Sequence, residues 1–158
     1  MQGSVGGKKH IHLCFGDAGD GGKGDIALVT SIEVSVGRQK LNYHNWLRTQ
    51  QGPEFEKVRA LYGRHPQPGR KIEPQVLAFA APQVVTLPLP EGAHWLKADT
   101  RLDMQNPEVD EASMQWTMTT ETPRDVTKII PGVLTIWKRS TKKSGETMND
   151  FNQMKTAF

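Results

Sequence analysis

Residues 16–25 read Gly-Asp-Ala-Gly-Asp-Gly-Gly-Lys-Gly-Asp, and they lie between two stretches with the alternating pattern of β-strands. Five glycines and three aspartates occupy these ten positions. Glycine adopts backbone conformations with positive φ, and aspartate can bind a hard cation or hydrogen-bond to its own turn. The segment, called the Gly/Asp loop below, is therefore either a metal site or a structural loop held by aspartate-to-backbone hydrogen bonds.

Both flanks of the Gly/Asp loop alternate between apolar and other residues. Before the loop, in the run 10–15, one face carries Ile11, Leu13 and Phe15. After the loop, one face of the run 26–36 carries Ile26, Leu28, Ile32, Val34 and Val36, interrupted by Thr30. A period of two predicts strands, and two strands around a short loop predict an antiparallel pair.

The rest of the chain predicts more strands and two helices. Strands are expected at 75–80, 83–87, 95–102, 113–120 and 133–138, with Pro- and Gly-containing turns between most of them. A short helix is expected at 53–62, because Pro53 suits the first helical position and Gly63 can end the helix. The polar segment 37–51 is expected to be an irregular loop, and the helical spacing of apolar residues in 147–158 predicts a C-terminal helix.

Together these elements predict a mainly-β domain. The expected fold is an antiparallel β-sandwich, jelly-roll-like, with a short internal helix and a C-terminal helix. The expected division is a flexible N-terminal segment at 1–7, a sandwich domain at 8–140 and a C-terminal helical segment at 141–158. A chain of 158 residues is long enough for one domain with a hydrophobic core.

Composition argues against several classes of partner. The net charge is only +3 and the Lys and Arg residues are scattered, so no nucleic-acid interface is expected. No run approaches the roughly 18 apolar residues of a membrane span. Cys14 stands alone, which excludes an internal disulfide and predicts a free thiol that is buried or half-buried.

Asp17, Asp20 and Asp25 are the candidate metal ligands. Their carboxylate oxygens suit Ca²⁺, which would have a structural role. The spacing is not that of an EF-hand, and the loop is not a phosphate-binding P-loop, because Gly24 follows Lys23 where Ser or Thr is required. A bound Ca²⁺ and a metal-free structural loop both remain open.

Trp46, with Tyr43 and His44 in the same polar segment, is the candidate ligand-binding group. An exposed aromatic ring can stack on the apolar face of a sugar ring, whose hydroxyls suit polar neighbours. Trp116 and Trp137 lie on strand patterns and are expected in the core.

No catalytic residue is assigned, because no nucleophile, zinc-protease or haem-attachment motif occurs. One alternative function is an enzyme, or an accessory enzyme domain, with an acid/base pair such as Asp17 or Asp20 with His65. A second is an assembly domain that docks through its C-terminal helix. His10 and His12 share one strand face, where polar surface positions are the preferred interpretation.

Three segments, in order, resemble parts of large multidomain proteins of planctomycetes and related bacteria, which carry a cytochrome-c-type domain and several domains of unknown function. The matching stretches are 15–25, then 63–66, 72–74, 81–82, 87–90 and 102–103, and finally 136–138 and 150–151. The Gly/Asp loop is also similar to loops in bacterial carbohydrate-binding β-sandwiches.

The resemblance implies a module of a larger bacterial surface or periplasmic protein, with the other domains of that protein as partners and an extracytoplasmic location. This chain would hold no haem, because it lacks the attachment motif. The expected function is a non-catalytic binding or structural module, with carbohydrate as the candidate ligand.

Overall fold

A computed structural model describes residues 1–16, 24–107 and 112–123, together with the backbone of strands at 134–138 and 155–157. The described elements, in chain order, are β1 (Gln2–Ser4), β2 (His10–Gly16), β3 (Ile26–Val36), β4 (Gln39–Asn42), α1 (Tyr43–Thr49), α2 (Pro53–Arg59), β5 (Leu77–Ala80), β6 (Gln83–Pro88), β7 (Ala93–Leu102), β8 (Ser113–Thr119), β9 (Leu134–Lys138) and β10 (Lys155–Ala157).

The strands form two antiparallel sheets of five strands each. Sheet A has the order β1-β7-β3, and the far edge of β3 is shared by β5 at its start and β4 at its end. Sheet B has the order β10-β9-β8-β2-β6. The predicted mainly-β, antiparallel, sandwich-like fold is confirmed, while the jelly-roll connectivity stays a prediction.

One hydrophobic core joins the two sheets. Sheet B contributes residues such as Leu13 and Trp116, and sheet A contributes residues such as Val34 and Leu96, all almost completely buried. Phe15 of β2 stacks on Phe79 of β5 across the space between the sheets, with ring centroids 5.0 Å apart. Burial of such side chains is the main force that holds two sheets face to face.

The strands on either side of the Gly/Asp loop do not pair with each other, so the predicted antiparallel pair is wrong. β2 belongs to sheet B and β3 to sheet A. The Gly/Asp loop therefore connects one sheet to the other, and its described residues are Gly16 at its start and Gly24 and Asp25 at its end. Alternation fixes which face of a strand is apolar, but it does not choose the neighbouring strand.

A register shift in β3 corrects a second expectation. Val29 pairs with Thr100 but Ser31 pairs with Asp99, so one extra residue is inserted at Thr30. Because an inserted residue reverses the alternation, Ile26 and Leu28 face away from the main core. Beyond the bulge, Ile32 and Val34 face into it. The predicted single apolar face of 26–36 is therefore split between two sides of sheet A.

The segment 37–51, expected to be an irregular loop, contains β4 and helix α1. Asn42 caps α1, since its side-chain oxygen accepts the amide of Asn45 at 3.0 Å. This capping position outweighs the polar composition of the segment. The expected helix at 53–62 is present as α2, which begins with Pro53 at its first turn and ends at Arg59.

Both chain ends differ from expectation where they are described. The N-terminal segment, predicted to be flexible, forms β1 on the edge of sheet A, and Val5 is 1 % exposed. The C-terminal helix predicted at 147–158 is wrong for Lys155–Ala157, which pair as β10 with β9. Backbone pairing along a sheet edge satisfies the strand's amides whatever the helical spacing of the side chains. The rest of that prediction, 147–154 and Phe158, lies outside the described residues.

Replacing Phe15 by Ala is expected to lower the free energy of unfolding by about 3–5 kcal/mol, because a ring buried between the sheets is lost and a cavity remains. Urea unfolding followed by tryptophan fluorescence measures the change. Trp95→Ala is the aromatic control: Trp95 is 41 % exposed, so the cost should stay near 0.5 kcal/mol. Equal losses in the two variants would contradict the proposed packing of Phe15.

Candidate binding face

The carboxylate of Asp103 is the centre of a buried polar cluster at one end of the sandwich. Only 3 % of its side chain is exposed. Its Oδ2 lies 3.1 Å from His65 Nε2 and accepts a hydrogen bond from Arg70 Nη1 at 2.5 Å. Its Oδ1 accepts from Arg70 Nη2 at 3.2 Å and from the amide of Gln105 at 3.1 Å. A buried carboxylate needs this level of compensation, and the two-pronged Arg70 contact is among the strongest available.

Both ring nitrogens of His65 are used inside this cluster. Nδ1 accepts the amide of Gln67 at 3.1 Å, so the ring proton lies on Nε2, which donates to Asp103. The His65 side chain is completely buried. This arrangement gives His65 a positioning role, since neither nitrogen is left for a substrate. The alternative acid/base pair of His65 with Asp17 or Asp20 stays a prediction, because both aspartates lie outside the described residues.

The cluster continues to the end of the Gly/Asp loop. Gln67 donates to Asn106 Oδ1 at 3.0 Å, and Asn106 donates to the carbonyl of Gly24 at 3.1 Å. Next to Gly24, Asp25 is 1 % exposed and its Oδ1 accepts the amide of Ser113 at 2.8 Å. Asp25 therefore acts as a structural acceptor that ties the start of β3 to the start of β8.

Of the candidate metal ligands Asp17, Asp20 and Asp25, only Asp25 lies in the described part of the chain. Within that part, no three His, Cys, Asp or Glu side chains are close enough together to hold a metal ion. Binding of Ca²⁺ by the Gly/Asp loop remains a prediction.

A loop at residues 63–76 covers one end of the outer face of sheet A. It is closed at its base, where the amide of Gly63 donates to the carbonyl of Val76 at 2.9 Å. Gly63 has φ +70°, and a side chain there would approach the Pro74 backbone to 3.3 Å. Ile72 and Val76 pack on the outward side chains of the first half of β3. The position of the covering loop thus depends on the glycine at its base and on the ion pair between Arg70, which is in the loop, and Asp103, which follows β7.

Beside this loop lies a groove of about 540 Å³. Its apolar lining includes Leu28, Ile72 and Val76, and its polar lining includes Lys71, Glu73 and Arg101. Met104, 46 % exposed, also lines the groove. The groove therefore combines an apolar surface with charged side chains, of which more are basic than acidic.

In the part of the chain that the structure describes, no loop covers the other half of the outer face of sheet A. Trp95 of β7 is 41 % exposed there, and its strand neighbours on this face are Ser4 of β1 and Ser35 of β3. Along β7, every second residue points outward and is exposed, giving the strip Trp95, Lys97, Asp99, Arg101. The outward residues of this half are called the Trp95 face, and they are Trp95, Lys97 and Asp99 of β7, Ser31, Glu33 and Ser35 of β3, and Ser4 of β1.

Charges on the Trp95 face largely neutralise each other. Lys97 Nζ lies 3.3 Å from Asp99, and Lys40 lies 2.9 Å from Glu33. The Ser31 hydroxyl donates to Asp99 at 2.6 Å, and this bond, with the help of Lys97, holds the pKa of the Asp99 carboxyl below its ordinary value. The face is polar and preformed, with one apolar ring standing on it.

The predicted ligand-binding residues of α1 lie elsewhere, mostly in packing contacts. Tyr43 is fully buried and its hydroxyl donates to the carbonyl of Pro88 at 2.8 Å; burial raises the pKa of that hydroxyl well above its ordinary value. Trp46 is half-buried between Tyr43 and Phe55, with ring centroids 5.3 and 5.9 Å away. His44 is half-buried against Tyr62 at 4.6 Å. A ligand role for these three residues stays a prediction, and their placement favours packing.

The exposure of Trp95 could have been predicted from the sequence. Leu96, Ala98 and Leu102 share one face of the strand, which leaves Trp95 on the opposite, polar face with Lys97. The polar composition around Trp46 was the more obvious signal, but helix α1 buries part of that ring.

The polar surface on sheet B contains the two histidines of β2. His10 Nε2 lies 3.2 Å from Glu54 of α2, and His12 Nδ1 lies 2.9 Å from the Thr86 hydroxyl. Partial burial, with the nearby His10, lowers the pKa of His12. On the same strand, burial raises the pKa of the Cys14 thiol to about 11, in keeping with a free, unreactive cysteine.

No protein-family model, curated protein or solved structure shows significant similarity to this chain. The resemblance to multidomain planctomycete proteins therefore remains a prediction from the sequence. Neither of the described helices has the length and apolar character needed to cross a membrane.

Replacing Asp103 by Asn is expected to lower the free energy of unfolding by about 3–5 kcal/mol, because Arg70 and His65 lose the buried charge that they bind. Asp99→Asn is the matched control, since the Asp99–Lys97 pair is half exposed and its loss should cost below about 1 kcal/mol. Urea denaturation of both variants gives the comparison. A cost for Asp103→Asn no larger than that of the control would show that the cluster does not hold the 63–76 loop.

Proposed function

We propose that this chain is a non-catalytic glycan-binding module of a larger protein, and that the Trp95 face is its binding surface. The observation that carries the proposal is the exposed indole of Trp95 on the polar outer face of sheet A. Trp95 and Met104 are the large apolar side chains exposed among the described residues, and of the two only Trp95 offers a flat ring for stacking.

The surroundings of Trp95 suit a sugar better than an apolar partner. Serine hydroxyls lie next to it on both neighbouring strands, and Lys97 and Asp99 follow along β7. A sugar ring has an apolar C–H face that stacks on an aromatic ring and hydroxyls at its edge that hydrogen-bond to such groups. A protein partner would favour a larger contiguous apolar patch than one ring.

The support of the face is rigid, which favours binding without reordering. β7 is hydrogen-bonded on both sides, to β1 and to β3, and its inward residues are in the main core. A preformed surface loses little conformational entropy when a ligand binds. The predicted membership of a larger bacterial protein, with an extracytoplasmic location, belongs to this proposal and comes from the sequence resemblance.

Replacing Trp95 by Ala is expected to weaken binding of a retained polysaccharide about 30-fold, equivalent to about 2 kcal/mol, because the stacking surface is removed. Affinity gel electrophoresis across a panel of soluble polysaccharides measures the change. Trp95→Phe keeps a ring and should retain part of the affinity, while Lys57→Gln on α2 should leave it unchanged. Retention that Trp95→Ala does not alter, or no retention by any polysaccharide, would contradict the proposal.

We also propose that the Gly/Asp loop binds a structural Ca²⁺ through Asp17 and Asp20, with Asp25 as the third predicted ligand. Added Ca²⁺ at about 100 times its Kd should then stabilise the fold by about 2.7 kcal/mol and raise the melting temperature, and EDTA should reverse the shift. Mg²⁺ at the same concentration controls for ionic strength. A melting temperature that is identical with Ca²⁺, Mg²⁺ and EDTA would exclude the site.

A further inference from the structure

We propose that the groove at the end of the β7 strip binds an anionic substituent, and hence that the glycan ligand is acidic. This inference rests on the proposed glycan-binding function. The shared chemistry is a carboxylate, as in a uronic acid, or a sulfate ester, carried by a sugar ring.

The charge of the groove is the first argument. Arg101 and Lys71 line it and have no ion-pair partner among the described residues. Arg70 also lines it but is occupied by Asp103, so these two charges cancel. In the described lining, Glu73 is then the one acidic side chain left beside the two cations Arg101 and Lys71. Two flexible basic side chains at the border of a cleft favour an anion, and the planar guanidinium of Arg101 matches a carboxylate or sulfate.

The lining of the groove is the second argument, because it indicates that the ligand has an apolar part as well as a charge. Leu28, Ile72 and Val76 provide an apolar surface, and the exposed Met104 stands beside it. An inorganic anion would not use this surface. A sugar ring that carries a negative charge presents both an apolar face and an anion.

The position of the groove is the third argument. Arg101 is the sixth residue after Trp95 on the same face of the same strand, which places the two backbones about 20 Å apart. One extended chain could therefore stack on Trp95 and place a charged substituent in the groove. Between Trp95 and Arg101, the charges of Lys97 and Asp99 neutralise each other. The net positive charge of the β7 strip therefore lies at the groove.

The inference is tested with pairs of polysaccharides that differ only in charge. Polygalacturonate is compared with its fully methyl-esterified form, and dextran sulfate with dextran, by affinity gel electrophoresis at fixed ionic strength. The wild-type chain should bind the acidic member of at least one pair roughly five- to tenfold more tightly. A preference in the first pair identifies a carboxylate, and one in the second identifies a sulfate ester.

The double variant Arg101→Gln/Lys71→Gln should abolish that preference while keeping the affinity for the neutral chain. Arg48→Gln/Lys57→Gln, on α1 and α2, removes the same total charge from exposed positions and should keep the preference. Because all four side chains are exposed or border a groove, unfolding midpoints should stay close to that of the wild type.

The outcomes separate this inference from the proposed function. If the wild type shows no preference for the acidic member, or if both double variants lose the preference equally, the groove is not an anion site. The effect of Trp95→Ala on binding of neutral chains tests the proposed function independently. Acidic binding that depends on Arg101 and Lys71 but not on Trp95 supports the anion site and contradicts the Trp95 face.

Discussion

The buried carboxylate of Asp103 is the constraint on which the outer face of sheet A depends. A charge that is 3 % exposed must be compensated within the protein, and His65 and Arg70, both from the 63–76 loop, compensate it. The pairing therefore fixes where that loop lies. With the loop in place, one end of the sheet is covered and bounded by a groove, while the other end remains open around Trp95.

Because of the extra residue at Thr30, strand β3 has different outward surfaces at the two ends of sheet A. Before it, β3 is buried on both faces, since Ala27 and Val29 face the main core while Ile26 and Leu28 face the covering loop. After it, Ile32 and Val34 face the core and the outward residues are Ser31, Glu33 and Ser35. The bulge thus places an apolar surface under the groove and a polar surface around Trp95.

Much of the secondary structure could be predicted from local patterns. The alternation in 10–15 and 95–102 predicts strands with the observed inward residues, and Pro53 predicts the start of α2. The errors arise where a structural feature that the local pattern does not record decides the conformation. Strand alternation does not reveal a bulge, so it predicts one apolar face for both halves of β3. Composition predicts a loop at 37–51, but it does not register that Asn42 can cap a helix there. The end of the chain shows the same limit, because helical spacing at 155–157 did not prevent edge pairing with β9.

The sequence by itself determined the class of fold, the apolar side of most strands and the Gly/Asp loop as the connection between two of them, because these follow from periodicity and from the conformational freedom of glycine. Only the tertiary structure decided that the loop crosses between sheets, that His65 and Arg70 meet Asp103, and that Tyr43 is buried with its hydroxyl on the Pro88 carbonyl. Those features depend on contacts between residues more than thirty positions apart, such as the 38 positions between His65 and Asp103. Such contacts arise from the packing of whole sheets, and no local pattern records them.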